Sequence, residues 1–221
     1  KKVNLYIEKI KSLGLGFREV SLPHTGHALS CYYIIMPAEV SSNLARFDGI
    51  RYVRDAKLQM HANAANEIKL SEIYLKQRGG GFGAEVKRRI VLGTFVLSSG
   101  YYDDYYEKAQ KVRSLIKKDF EEAFKEVDII LSPVTPTTAI KIGEKVADPL
   151  SMYLSDIFTI PANLAGLPAL SLPATSCQRF DRPELTVEEL PATSLPVGFQ
   201  LIGKHWREVD ILGLGQYYEK L

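Results

Sequence analysis

The sequence predicts an α/β domain in which helices pack on a β-sheet. Segments with apolar residues at every third or fourth position recur along the chain. Short apolar runs bounded by Gly and Pro lie between them, as at Asp128–Ser132 and Val197–Ile202. Composition agrees: 221 residues, 46% hydrophobic and 24% charged, are globular proportions that exclude a disordered or collagen-like chain.

The first element predicted is an amphipathic helix over 3–13, with Val3, Tyr6, Ile7, Ile10 and Leu13 on one side and Gly14 and Gly16 as its stop. Phe17–Leu22 then reads as a short strand ended by Pro23, completing an α-then-β unit. Residues 26–47 return to helical spacing, and Pro37 is expected to end one helix or begin the next. Residues 51–80 are polar and weakly patterned, a surface excursion closed by the glycines of 79–83. Helices follow over 84–99 and 101–127. In the second, Tyr102, Tyr105, Ala109, Val112, Ile116, Phe120, Ala123 and Val127 form the stripe, while Lys108, Lys111, Lys117 and Lys118 lie off it. A strand at 128–132, a helix over 148–160, a strand at 170–172, a loop over 178–195, a strand at 197–202 and a helix from Arg207 to Leu221 complete the order.

Charge and cysteine content narrow the classes. Lys plus Arg number 28 against 26 Asp plus Glu, a net charge of +2, too balanced for binding nucleic acid through the whole chain. Cys31 and Cys177 make no disulfide framework, which fits a reducing cytoplasm. His24, His27, His61 and His205 form no HExxH, and no CxxC occurs, so no metal site is expected. No apolar run reaches the ~18 residues of a transmembrane helix. The chain starts at Lys1 without an initiator Met or a signal peptide's apolar core, and reads as beginning inside something longer.

The search for catalytic side chains finds no nucleophile. There is no GxSxG, Ser98-Ser99-Gly100 reads as a helix C-terminus, and the glycines at 79–83 lack the Lys-Ser/Thr of a phosphate loop. Three polar groups in apolar contexts stand out instead. At 100° per residue, Val86, Ile90, Gly93 and Leu97 share a face; Arg89 borders it and Arg88 points almost opposite. A bordering arginine serves either a structural salt bridge or a substrate carboxylate, which its planar fork suits. Asp156 sits in the apolar stretch Tyr153–Ile160, where a carboxylate must be paired, hydrogen-bonded or exposed; it is a surface or structural group, or a counter-ion for a substrate ammonium. Tyr32 and Tyr33 are core aromatics or pocket phenols.

Several long stretches carry a resemblance. They are 21–52 (SLPHTGHALSCYYIIMPAEVSSNLARFDGIRY), 81–120 (GFGAEVKRRIVLGTFVLSSGYYDDYYEKAQ onward), 148–173 (DPLSMYLSDIFTIPANLAGLPALSLP) and 195–204 (LPVGFQLIGK). Together they make the sequence similar to the A subunits of the glutamyl-tRNA(Gln)/aspartyl-tRNA(Asn) amidotransferases, within the amidase signature family. The resemblance implies an α/β amidase signature fold, a mixed β-sheet covered by helices on both sides, with residues 1–221 as the C-terminal portion of one such domain. It implies a polypeptide that hydrolyses glutamine and passes ammonia to a partner, the B subunit, which activates the misacylated Glu-tRNA(Gln) or Asp-tRNA(Asn) with ATP and Mg²⁺. The small C subunit wraps the two. No cofactor is implied in this chain, tRNA contact falls mainly to the partner, and the complex is cytoplasmic with no membrane partner. The family's serine–serine–lysine constellation belongs to the half preceding this chain, so no catalytic residue is assigned and the chain alone is expected to be inactive. Carried over by position, the glutamine-binding groups are Tyr32, Arg89 for the α-carboxylate and Asp156 for the α-ammonium. The alternatives are another amidase signature hydrolase, for which the Arg/Asp pair is the discriminator, and a non-catalytic docking module.

Overall fold

A computed structural model describes residues 7, 8, 10–48, 69–144, 149–174, 195 and 197–220. The chain forms two compact units: one from residues 1–30 and 112–221, the other from residues 31–111.

In the first unit, β3 (Gly198–Gly203) is flanked by β1 (Ile129–Pro133) and β2 (Ala169–Pro173), and both ladders are antiparallel. Leu201 pairs with Leu131 on one side and Leu170 on the other, and Phe199 pairs with Leu172. Side chains alternate across a strand, so Phe199 and Leu201 share one face and Gln200 and Ile202 the opposite one. The first face packs on α7 (Glu208–Glu219) through Ile211 and Tyr218; Ile10 and Leu172 complete a cluster in which Phe199 is fully buried. Helix and sheet approach closely at Gly215, where a Cβ would come within 2.6 Å of Leu170 Cδ2. The Tyr218 hydroxyl donates to the carbonyls of Pro173 and Ala174 at 3.1 and 3.2 Å, and burial pushes its pKa above the ordinary tyrosine value.

On the other face, the buried Gln200 side chain donates to Ser132 Oγ at 2.9 Å and to the Phe158 carbonyl at 2.6 Å. Satisfying this amide ties β3 to the segment between α5 (Pro149–Tyr153) and α6 (Ile160–Ala165). That helix opens with Pro161 in its first turn and ends at Gly166, whose φ of +73° suits glycine. Also in this unit, the Asp119 carboxylate accepts from the His24 backbone N–H at 2.7 Å and bonds the His24 ring at 2.8 Å.

The second unit is helical. α1 (Ala28–Leu44) enters it at Cys31, followed by α2 (Leu70–Gly81), α3 (Ala84–Val96) and a six-residue π-helical turn, Tyr102–Glu107, that leads into α4 (Lys108–Ala123). Arg78 Nη1 donates to the Leu44 and Phe47 carbonyls at 3.0 and 2.6 Å, tying α2 to the end of α1, where the Leu44 carbonyl also accepts from the Phe47 N–H. α1 and α3 touch at Gly93. A Cβ there would collide with the Pro37 carbonyl and lie 2.8 Å from Ser41 Oγ. Gly93→Ala is therefore expected to destabilise the full-length protein by about 1–3 kcal/mol, the usual cost of overpacking. Urea denaturation of the two proteins measures it; an unchanged midpoint would mean that the helices separate at no cost.

Four readings of the sequence are corrected. Phe17–Leu22 is not a strand: residues 15–20 and 128–131 line a common groove instead of forming a ladder. Pro37 neither ends nor begins a helix but lies buried inside α1, its missing N–H costing one helical bond that tertiary packing outweighs. Residues 70–80 are helical, with Ile73 and Gln77 buried, and Gly79–Gly81 form the last turn of α2 rather than a loop. The periodic helix over 101–127 is α-helical only from Lys108 to Ala123, with Tyr102 and Tyr105 exposed ahead of it. The start of the 3–13 helix and nearly all of the 178–195 loop fall outside the described residues; Ile7, Glu8, Ile10 and Lys11 are helical, and Gly14 has φ +75°.

Candidate functional site

The crossing of α1 and α3 that requires Gly93 also sets the surroundings of Arg89, one helical turn earlier in α3. Inward residues of α3 follow the expected face: Gly93 and Val96 are buried, and Val86, Ile90 and Leu97 half-buried. Arg89 borders that face with 32% of its side chain exposed, whereas Arg88 is 51% exposed. The sequence-derived difference between the adjacent arginines is thus present in the structure.

Arg89 is held at one end. Its Nε donates to Glu85 Oε1 at 2.9 Å, and its Nη1 lies 3.5 Å from the Met36 sulfur, a weak acceptor. Glu85 Oε2 accepts from Arg88 Nη1. Among the described residues, Glu85 is the carboxylate that contacts Arg89, and it does so through Nε alone. Burial works to lower the Arg89 pKa. The hydrogen bond and charge of Glu85 outweigh it, with smaller contributions from the phenols of Tyr32 and Tyr33, and hold it above its ordinary value. The guanidinium is therefore a fixed cation whose terminal nitrogens remain suited to a carboxylate.

Tyr32 and Tyr33 lie on α1 one turn before Met36. Both are half-buried, with rings edge to face at 5.3 Å. Tyr32 and Arg89 both belong to the second unit, and the Tyr32 phenol is among the smaller influences that keep the Arg89 guanidinium charged.

Asp156 belongs to the first unit. It ends a 3₁₀ turn, Leu154–Asp156, with an exposed side chain. Of the three possibilities for a carboxylate in this apolar stretch, exposure is the one realised. Its backbone carbonyl accepts from the Thr159 N–H and hydroxyl, both at 3.1 Å, and among the described residues its carboxylate forms no ion pair. Two residues on, the Phe158 carbonyl is anchored by Gln200.

Sequence reasoning missed Glu85 and Met36. Glu85 had a signal, since it precedes Arg88 by three and Arg89 by four positions, the spacings at which helical side chains meet. Met36 had none, because its contact depends on how α1 crosses α3.

The chain belongs to the amidase family, whose model matches residues 1–212. Its relatives are more particular. It is 51% identical over 214 residues to the glutamyl-tRNA(Gln) amidotransferase A subunit of Pelagibacter ubique, an alignment covering 97% of this chain and 39% of that protein. It is also 51% identical over 221 residues to the A subunit of Carboxydothermus hydrogenoformans, covering 100% of this chain and 41% of that one. The chain thus spans about 40% of the length of the curated relatives it matches. The crystal structure of the glutamyl-tRNA(Gln) amidotransferase A subunit from Thermotoga maritima superposes with a TM-score of 0.61 at 37% identity, over 99% of this chain and 38% of that one. A crystal structure of an amidase gives a TM-score of 0.62 at 22% identity, over 99% of this chain and 41% of that one; this is a likeness of fold. The α/β architecture is therefore part of the amidase signature fold. No described helix is long and apolar enough to cross a membrane.

Proposed function

We propose that this chain is the glutamine-recognising part of the A subunit of a tRNA-dependent amidotransferase. The observation that carries the reading is Arg89, a guanidinium anchored through Nε to Glu85, with Nη1 against the Met36 thioether, a weak acceptor. A glutamine substrate carries an α-carboxylate and an α-ammonium, and binding both requires one fixed cation and one carboxylate. By the resemblance, Arg89 is assigned the first and Asp156 the second, with Tyr32 as the third glutamine-binding group. Catalysis falls to a serine–serine–lysine constellation outside this chain. Released ammonia passes to the B subunit, which uses ATP and Mg²⁺ to activate Glu-tRNA(Gln) or Asp-tRNA(Asn); the C subunit completes the cytoplasmic assembly. Names of relatives more than 45% identical over this chain support the reading.

The test compares ammonia donors. In the complete enzyme, Asp156→Ala is expected to lower kcat/KM for glutamine by about tenfold or more, the cost of losing one charge-assisted contact in an exposed position. Amidation from ammonium chloride should be nearly unchanged, because free ammonia bypasses the glutamine pocket. Equal loss with both donors would make Asp156 a structural residue and remove the ammonium half of the proposal.

A further inference from the structure

We propose that Glu85 is a positioning residue for glutamine: it holds Arg89 by Nε and so presents the terminal nitrogens of that guanidinium to the incoming α-carboxylate. The inference rests on the reading of Arg89 given above. An arginine side chain has several rotatable bonds, and a two-pronged contact forms only when the plane of the fork is set. Glu85 sets it from within the same helix, one turn back. One carboxylate oxygen takes Arg89 Nε at 2.9 Å and the other takes Arg88, so the carboxylate is itself held from both sides.

The competing possibility is that Glu85 occupies Arg89 as a rival of the substrate. The contact argues otherwise. A rival would take the terminal nitrogens, whereas Glu85 takes Nε, and the group lying against Nη1 is the Met36 sulfur at 3.5 Å, a weak acceptor that a carboxylate easily replaces. Glu85 also sits in the first turn of α3, where a negative charge favours the helix itself. A purely helix-stabilising role would lower thermal stability and affect both ammonia donors alike.

The experiment uses the complete enzyme with Glu85→Ala, Glu85→Gln and Arg89→Ala, assayed with glutamine and with ammonium chloride. Glu85→Ala is expected to raise KM for glutamine about tenfold with little change in kcat, as expected for a lost contact to a charged group that acts on binding. Glu85→Gln keeps an oxygen for Nε and should restore KM to within about threefold of the parent enzyme. Ammonium chloride should support equal rates in both, which also verifies that each variant folds. If Glu85→Ala leaves the glutamine KM unchanged, or lowers it, while Arg89→Ala raises it, the positioning role is overturned and the reading of Arg89 stands. If Arg89→Ala itself leaves glutamine use intact, both fall together.

Discussion

Replacing Arg89 by Ala in the complete enzyme should cut kcat/KM for glutamine by about 30- to 1000-fold, the equivalent of roughly 2–4 kcal/mol for a charge-assisted contact in a partly desolvated pocket. Two features place the effect at the upper end of what one side chain contributes. The guanidinium is pre-set by Glu85, so little order is lost on binding, and only a third of the side chain faces solvent. Amidation from ammonium chloride should hardly change. Arg88→Ala is the control: its side chain is half exposed and points off the inward face, and its pair with Glu85 is of a surface kind worth at most about 1 kcal/mol. Steady-state kinetics on both variants with both donors decide the matter. A damaging Arg88→Ala beside a silent Arg89→Ala would refute both the face assignment and the proposed carboxylate contact.

That contrast between neighbours is legible in the sequence because it needs only the helical angle. Residues 86, 90, 93 and 97 define a face, and one residue's rotation separates 88 from 89. The same local logic locates β1, β2, β3 and α7 to within one or two residues, since each is a short apolar run or periodic stretch with Gly or Pro beside it. Misreadings come where a tertiary contact outweighs a local preference. Pro37 belongs at a helix end by propensity, yet it lies buried in mid-helix, with its carbonyl close against α3 at Gly93. Phe17–Leu22 has strand composition, but a strand exists only with a hydrogen-bonded neighbour, and these residues border a groove. Gly79–Gly81 break helices in isolation and end one here after a turn carrying the buried Ile73 and Gln77. In the sequence, Tyr32, Arg89 and Asp156 stand out as polar groups in apolar settings, and the common purpose proposed for them comes from the resemblance alone. The Met36 contact is legible from neither, because it arises from the angle between two helices distant in sequence.

The largest stability effect is expected at Phe199. Its side chain is fully buried on β3, the central strand, and meets the Tyr218 ring edge to face at 4.9 Å. Both neighbouring strands are paired to β3, so the face carrying Phe199 and Leu201 cannot shift to fill a void without disturbing two ladders. Gly215 already brings α7 so close to the sheet that a Cβ there would lie 2.6 Å from Leu170 Cδ2, so Leu170 resists an inward shift of the helix. A cavity left by Phe199→Ala should therefore stay largely open and cost about 3–5 kcal/mol. Tyr218→Phe removes only a hydroxyl with two carbonyl partners at 3.1 and 3.2 Å, and should cost about 1 kcal/mol. Denaturant unfolding of the full-length protein gives both values on one scale. The ranking follows from cavity volume exceeding one hydrogen bond, and a Tyr218→Phe loss equal to that of Phe199→Ala would show that α7 docks through its hydroxyl rather than through the apolar cluster.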